Sequence, residues 1–282
     1  MKYLKNVSGD KFETSQFRFL EKTHFDSSLV DLVLNGKHSG VIFQNYLPEE
    51  SCIKIAENFW KSTLLYKRDT DAPAYYAGIF HFGKELSDYL KKSTAVMPLL
   101  NTLFDGTINP VAQIINNFTE YFGAQGIEFR LAEHQGYKAS PFVMRSWSGT
   151  STYSLLPHED EAQCSFPEQA DFEIQKTVKN PIVAVNICLQ NTQPGGNLHY
   201  WNIMPDKKSR EALGLHYTGS PYPIELLSTV EKQIIPIYNG DIYFFNGKSI
   251  HAVASLDQST NERATISFLM AQLNEKTIIY WA

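Results

Sequence analysis

From about residue 126 onward the chain is a succession of short apolar runs. IEFRLAEH, PFVMRSWS, STYSLL, PIVAVNICL, NLHYWNI, KQIIPIY, DIYFF, ERATISFLMAQL and TIIYW succeed one another, punctuated by Gly, Pro, Asn and Asp. Each run has strand length and strand composition, and the punctuation is turn chemistry. So many short strands call for two packed sheets. The expected fold is mainly β with helices (α+β), a double-stranded β-helix of jelly-roll or cupin-like type, under an N-terminal helical layer.

The first half reads differently. Residues 1–25 form a polar lead-in, and GVIFQNY (40–46) reads as a strand. Pro48, Glu49 and Glu50 open a helix in which Ile53, Ala56 and Trp60 recur at helical spacing. PVAQIINNFTEYFGAQG places Val111, Ile114, Ile115, Phe118 and Phe122 on one stripe, with Gly123 or Gly126 as the stop. KELSDYLKKSTAVMPLL is expected to be helical up to the residues before Pro98. We therefore expect a single domain over 1–282, with a lead-in and helical layer over 1–126 and the jelly-roll core over 127–282. A polar segment over 203–232 reads as an insert, and long loops over a rigid sandwich often serve as lids.

Composition narrows the function. With 25 basic and 30 acidic residues the formal charge is −5, and no Lys/Arg block offers a nucleic-acid surface. No run approaches the roughly 18 apolar residues of a membrane span. The start of the chain lacks the apolar stretch of a signal peptide. Cys52, Cys164 and Cys188 are odd in number and widely spaced, so neither a disulfide framework nor a zinc knuckle is indicated. The expectation is a soluble cytoplasmic protein that binds neither nucleic acid nor membrane.

Chemistry concentrates in two phrases. In SLLPHED, His158 and Asp160 stand two residues apart, so an extended strand end turns them to one side and Glu159 away. One further histidine makes a two-His, one-carboxylate face that leaves open positions on an octahedral ion and suits non-haem Fe(II). Of the eight histidines, His24, His38 and His81 lie in the N-terminal half, outside the expected sandwich. His199 sits in a strand and competes, but His251 is preferred because a basic strand lies just downstream of it. Twelve residues later Arg263 opens RATISF, where Arg263, Thr265 and Ser267 share a strand face. A guanidinium fork with two hydroxyls is a carboxylate clamp. The turn-forming LDQSTNE between them lets the two strands form a hairpin, with metal ligand and clamp on neighbouring strands.

This ordered set, His158-x-Asp160, His251, then Arg263-x-Thr265, resembles the Fe(II)/2-oxoglutarate-dependent dioxygenases. NGDIYFFNGKSIHAV, PGGNLHYWN and GVIFQNYLPEESCIKIAENF resemble segments of the same family, so the likeness is scattered from about residue 40 to 272. The resemblance implies Fe(II) on His158, Asp160 and His251. It implies 2-oxoglutarate as cosubstrate, with its far carboxylate on Arg263 assisted by Thr265 or Ser267, and O2 as oxidant. It also implies hydroxylation over halogenation, because related halogenases replace the carboxylate ligand by a small residue that leaves room for chloride. Desaturation and ring formation stay open.

GIFHFGKELSDYL (78–90) and the H-E-D placement resemble the branch of the family that acts on free amino acids. For such a small-molecule substrate, Glu161 is the candidate for the ammonium, and Arg145 for a carboxylate of the substrate or of the cosubstrate. Trp147, Tyr153, Trp201 and Trp281 are candidate pocket walls. Each has a plainer reading: Glu161 in a solvated acidic rim, Arg145 in a structural ion pair, the aromatics in the core. Two other functions stay open on this scaffold, an oxygenase acting on a protein side chain and a non-catalytic ligand-binding sensor.

Overall fold

Strand alternation sets the architecture. In the strand Ile182–Asn191, Val183, Val185 and Ile187 turn to one side and join the main apolar core, whereas Ala184 and Cys188 turn to the other. One face of the sheet is thereby committed to helices and the opposite face to whatever the second sheet encloses. The computed structural model describes residues 4–68, 74–147, 152–192, 195–256 and 263–282.

Numbered in chain order, the first half contributes β1 (Gly9–Asp10), α1 (Thr14–Phe17), β2 (Leu20–Lys22), α2 (Ser27–Leu34), β3 (Gly40–Phe43), α3 (Glu49–Lys61), β4 (Tyr66–Arg68), β5 (Ala74–Gly78), α4 (Leu86–Leu100) and α5 (Pro110–Gly123). The second half contributes β6 (Glu128–Leu131), β7 (Glu133–His134), β8 (Tyr137–Lys138), β9 (Val143–Trp147), β10 (Tyr153–His158), β11 (Ile182–Asn191), β12 (Leu198–Trp201) and β13 (Met204–Pro205). It continues with α6 (Lys207–Leu213), β14 (Lys232–Ile235), β15 (Ile242–Asn246), β16 (His251–Ala254), β17 (Arg263–Asn274) and β18 (Thr277–Trp281).

The larger sheet runs β2-β3-β15-β11-β17-β9-β5-β4, with β18 and β6 added beside β17. The smaller runs β10-β16-β12-β14. This is the double-stranded β-helix expected from the strand pattern, covered by helices on the outer face of the larger sheet. Asp26 and Asn109 cap α2 and α5 by accepting from Ser28 N and Ala112 N. Phe118 of α5 lies among Phe25, Phe122, Phe129 and Phe244, with ring centroids 5.3–5.9 Å away.

Several local expectations change. The buried stripe of α3 is Cys52, Ile55, Ala56 and Phe59, whereas Ile53 is 54% exposed. α4 continues through Pro98 to Leu100. The lead-in is not a bare polar arm: Phe12 and Phe17 pack on Tyr200 and Phe245 beside the smaller sheet. The largest change concerns the expected hairpin. β16 pairs with β10 and β12 in the smaller sheet, whereas β17 pairs with β11, β9 and β18 in the larger. His251 and Arg263 thus face each other across the sandwich; the connection through 257–262 lies outside the described residues. Turn-rich composition shows where a chain reverses but not to which sheet it returns.

Replacing Phe118 by alanine removes the ring at the centre of this aromatic contact set. The expected cost is about 3–5 kcal/mol, read as a lowered urea midpoint with little change in slope.

Candidate active site

The two sheets enclose a cavity of about 230 Å³. From the smaller sheet, Leu155, His158, His251 and Val253 face it; from the larger, Val143, Arg145, Trp147, Asn186, Tyr243, Phe245, Arg263 and Ser267 do.

β10 and β16 run antiparallel with His158 directly opposite His251. That register brings the two imidazole centroids to 4.1 Å. Just past the end of β10, Asp160 N donates to Gly247 O at 2.8 Å, which folds the carboxylate back beside the histidines. One ligand atom from each of His158, Asp160 and His251 lies within 4.8 Å of the other two. His251 Nε2 stands 3.6 Å from Asp160 Oδ2.

The hydrogen bonds around these side chains fix their lone pairs. His158 Nδ1 donates to Leu156 O at 2.8 Å, and His251 Nδ1 to Ser249 O at 2.9 Å. A carbonyl only accepts, so each Nδ1 carries the proton and each Nε2 is left with a free lone pair for a metal. Gln163 Nε2 donates to Asp160 Oδ1 at 2.7 Å, so one carboxylate oxygen is held while the other faces His251. Burial pushes His158 down to about 3, aided by its neighbour His251, and pushes His251 down to about 4. Both remain neutral ligands at neutral pH. Burial raises Asp160, and the nearby His158 and Arg145 oppose that. The donor set therefore fits a ferrous ion: two imidazoles and one carboxylate on one side, open positions on the other.

Two cations line the same cavity, one buried and one half-buried. Arg263 is 2% exposed and donates through Nη2 to Tyr243 Oη at 2.9 Å, while its Nε has no acceptor among the described residues. Arg145 approaches Asn186 Oδ1 only at 3.4 Å and stacks over Trp147 at 5.4 Å; its Nε also lacks an acceptor. Burial pushes the Arg145 guanidinium below its ordinary value. Among the described residues neither guanidinium forms an ion pair with a carboxylate; the ion pairs near the site belong to Arg210, Lys248 and His251. A buried cation without an anion is costly, so the cavity calls for anionic ligands. Ser267 Oγ donates to Asn186 Oδ1 at 2.7 Å and stands 3.5 Å from Thr265 Oγ1, and Thr265 is fully buried beside it.

Other expected site residues fall elsewhere. Tyr153 and Trp201 lie on the outer face of the smaller sheet, with ring centroids 6.3 Å apart. Trp201 packs there on Ile203, Leu215 and Tyr222, away from the cavity. His199, the competing ligand, shares that outer face, 5.4 Å from Tyr153 by ring centroids. The irregular pairing of β10 with β16 between Tyr153, Leu155 and His158 accounts for part of this, because it breaks simple alternation. Trp281 is buried with Tyr89 and Phe172. Glu161 is bound to Arg210 at 2.8 Å and Lys248 at 2.9 Å, outside the cavity. It is Glu159, expected to point away, that lines the cavity: it is 1% exposed, and its Oε2 accepts from Ala162 N at 3.1 Å. Burial pushes Glu159 up to about 8 against the opposing charge of Arg210. His81 also lines the cavity, because β4 and β5 extend the larger sheet and deliver the chain to its mouth. Tyr76, Gln163, Asn186 and Tyr243 carry no motif in the sequence; alternation on β11 and β15 is the available signal for the last two.

Fold and site together define an Fe(II)/2-oxoglutarate-dependent oxygenase. More narrowly, the chain belongs to the family of the carrier-protein-independent halogenase WelO5, whose family model matches residues 17–282. It is 31% identical over 280 residues to an L-isoleucine 3(1)-dioxygenase of Pantoea ananatis (strain AJ13355), covering 95% of this chain and 93% of that one. In structure it is similar to an N-substituted L-amino acid dioxygenase from Burkholderia ambifaria AMMD, with TM-score 0.61 at 12% identity over 93% of this chain and 97% of that one. A structure of such an enzyme from the same organism with alpha-KG bound matches with TM-score 0.54 at 11% identity, covering 90% of each chain. Among the described residues no helix is long and apolar enough to cross a membrane.

Gly247 touches the ligand set directly: a Cβ there would fall on Asp160 Oδ2. Gly247→Ala is expected to weaken Fe(II) binding about 10–100-fold, measured by anaerobic titration, with secondary structure retained. Acid should also destabilise the metal-free protein. His158 titrates near 3 and both His251 and His81 near 4 when folded, against an ordinary 6.5. Between those values the unfolded chain binds more protons, so stability falls as pH falls through that window. Each histidine contributes up to about 1.4 kcal/mol per pH unit. Urea unfolding of iron-free protein at pH 7, 6 and 5 checks this, and His251→Asn should flatten the slope.

Proposed function

We propose that this oxygenase hydroxylates an unactivated C–H bond of a small free amino acid, with L-isoleucine and its aliphatic relatives as first candidates. The observation that carries the reading is the pair of guanidiniums, half-buried Arg145 and buried Arg263, in one cavity with the ligand set and, among the described residues, without an ion pair to a carboxylate. Two anionic groups are wanted, one from the cosubstrate and one from the substrate. The 31% identical relative that acts on L-isoleucine supports the substrate class. The cavity of about 230 Å³ lies below the roughly 300–1,000 Å³ of ordinary ligand pockets, which favours a small molecule over a protein side chain.

Arg263, with Tyr243 Oη beside it and the Thr265 and Ser267 hydroxyls along the same strand face, is assigned to the far carboxylate of 2-oxoglutarate. Arg145 is the guanidinium whose charge reaches Asp160 and both histidines. It is assigned to the substrate carboxylate, with Trp147 stacked beneath it. When bound, Fe(II) and 2-oxoglutarate would supply the chemistry that activates O2, one oxygen atom going to 2-oxoglutarate, which leaves as succinate and CO₂, and the other to the substrate. The chain's part is positional: apolar Leu155, Val253 and Phe245 exclude water, and the two arginines fix both ligands relative to the histidines.

Hydroxylation is preferred over halogenation. Asp160 fills the third protein position and is tied by Gln163 and Gly247, so the space a small residue would leave for chloride is taken. The three cysteines are buried and unpaired, which fits a reducing, cytoplasmic setting.

Anaerobic protein with Fe(II) and 2-oxoglutarate should give a weak visible charge-transfer band. Oxygen should then yield succinate in an amino-acid-dependent way across a panel headed by L-isoleucine. A band with no amino acid able to raise succinate would overturn the reading. Arg145→Leu should raise the KM for the amino acid at least tenfold and leave that for 2-oxoglutarate nearly unchanged; Arg263→Leu should do the reverse. If Arg145→Leu moves the 2-oxoglutarate KM instead, Arg145 serves the cosubstrate.

A further inference from the structure

An ammonium needs acceptors as a carboxylate needs donors, and Glu161, expected for that task, is engaged outside the cavity by Arg210 and Lys248. The cavity wall offers another acceptor. His81 is 2% exposed and lines the cavity between Phe80 and Phe82. Its Nδ1 lies 3.0 Å from Gln169 Oε1. Gln169 cannot be turned the other way, because its Nε2 donates to two carbonyls, His81 O at 2.7 Å and Lys84 O at 2.9 Å. Oε1 is therefore an acceptor, the proton of His81 sits on Nδ1, and Nε2 presents a lone pair. That lone pair is buried and has no donor among the described residues. A buried acceptor left unpaired costs free energy, and Gln169, itself fully buried, holds this tautomer in place.

We infer that His81 Nε2 accepts a hydrogen bond from the substrate's amino group and so selects amino acids over acids that lack the amine. This rests on the amino-acid reading above. Burial and the nearby Lys84 charge hold His81 down to about 4, so it stays a neutral acceptor at neutral pH, which suits a cationic donor. The arrangement splits recognition between two layers. Arg145 on β9 takes the carboxylate, and the segment after β5 takes the amine.

The test compares succinate formation by the iron-loaded enzyme with L-isoleucine and with 3-methylpentanoate, the same carbon skeleton without the amine. Wild type should prefer L-isoleucine. His81→Phe keeps a ring of similar size but no acceptor. It should lower kcat/KM for L-isoleucine at least tenfold, the scale of a lost charge-assisted hydrogen bond, and change that for 3-methylpentanoate less than threefold. His81→Gln, which can place an amide oxygen near the position of Nε2, should keep much of the preference. The anaerobic Fe(II)/2-oxoglutarate band reports whether each variant retains its site. Should His81→Phe lose the band, Gln169→Leu, which frees the tautomer without altering the cavity wall, should shrink the same preference. Equal losses on both substrates, or no loss on L-isoleucine, would overturn the role of His81 while leaving the amino-acid reading standing. Failure of wild type to turn over any amino acid would overturn both.

Discussion

The structure depends on one pairing, the antiparallel contact of β10 with β16 that sets His158 opposite His251. A slip of one residue would turn one imidazole to the outer face of the smaller sheet, where His199 and Trp201 already lie. Each histidine is also anchored through Nδ1 to the carbonyl two residues before it, so strand register and tautomer are set by the same short stretch of backbone. Asp160 joins them because the chain turns at the end of β10 and bonds to Gly247 O in the turn that leads into β16. The ligand set is thus a property of two strand ends.

Much of this is legible in the sequence. Short strands separated by turn residues force a sandwich, and H-x-D with a distal His and a downstream Arg picks out the ligand set and an arginine of the same cavity. Sequence reasoning fails where chain neighbours are not space neighbours. His251 and Arg263 are close in sequence but sit in opposite sheets, a choice that local turn propensity does not encode. Tyr153 and Trp201 are plausible pocket walls by composition, yet both face outward, Tyr153 through the irregular β10–β16 pairing and Trp201 because plain alternation on β12 puts it on the outer face of the smaller sheet. His81 reads as part of the helical half, but β5 carries that half into the larger sheet and leaves His81 at the cavity. Alternation turns Glu159 away from the site, but the strand has already ended there and alternation no longer applies.

The 203–232 insert is tied to the metal-binding phrase. Arg210 of α6 reaches Glu161 at 2.8 Å and Glu159 at 3.8 Å, and Gly219 O accepts from Glu159 N at 3.0 Å. Thr218 and Ser220 complete that wall of the cavity. The acidic residues flanking Asp160 hold the insert against the site, which explains an acidic cluster that otherwise resembles a solvated rim. Glu161 contributes to the site by this indirect route.

Arg145 and Arg263 hang from paired strands, Arg145 opposite Thr265 and Arg263 opposite Trp147. Their spacing is therefore set by the ladder itself, a diagonal of roughly 7–8 Å between backbones, and not by any loop. Such a pair acts as a fixed ruler. Neither arginine can slide along its strand without breaking the β9–β17 ladder, so the distance between the two cations changes only with side-chain reach at one mark or the other.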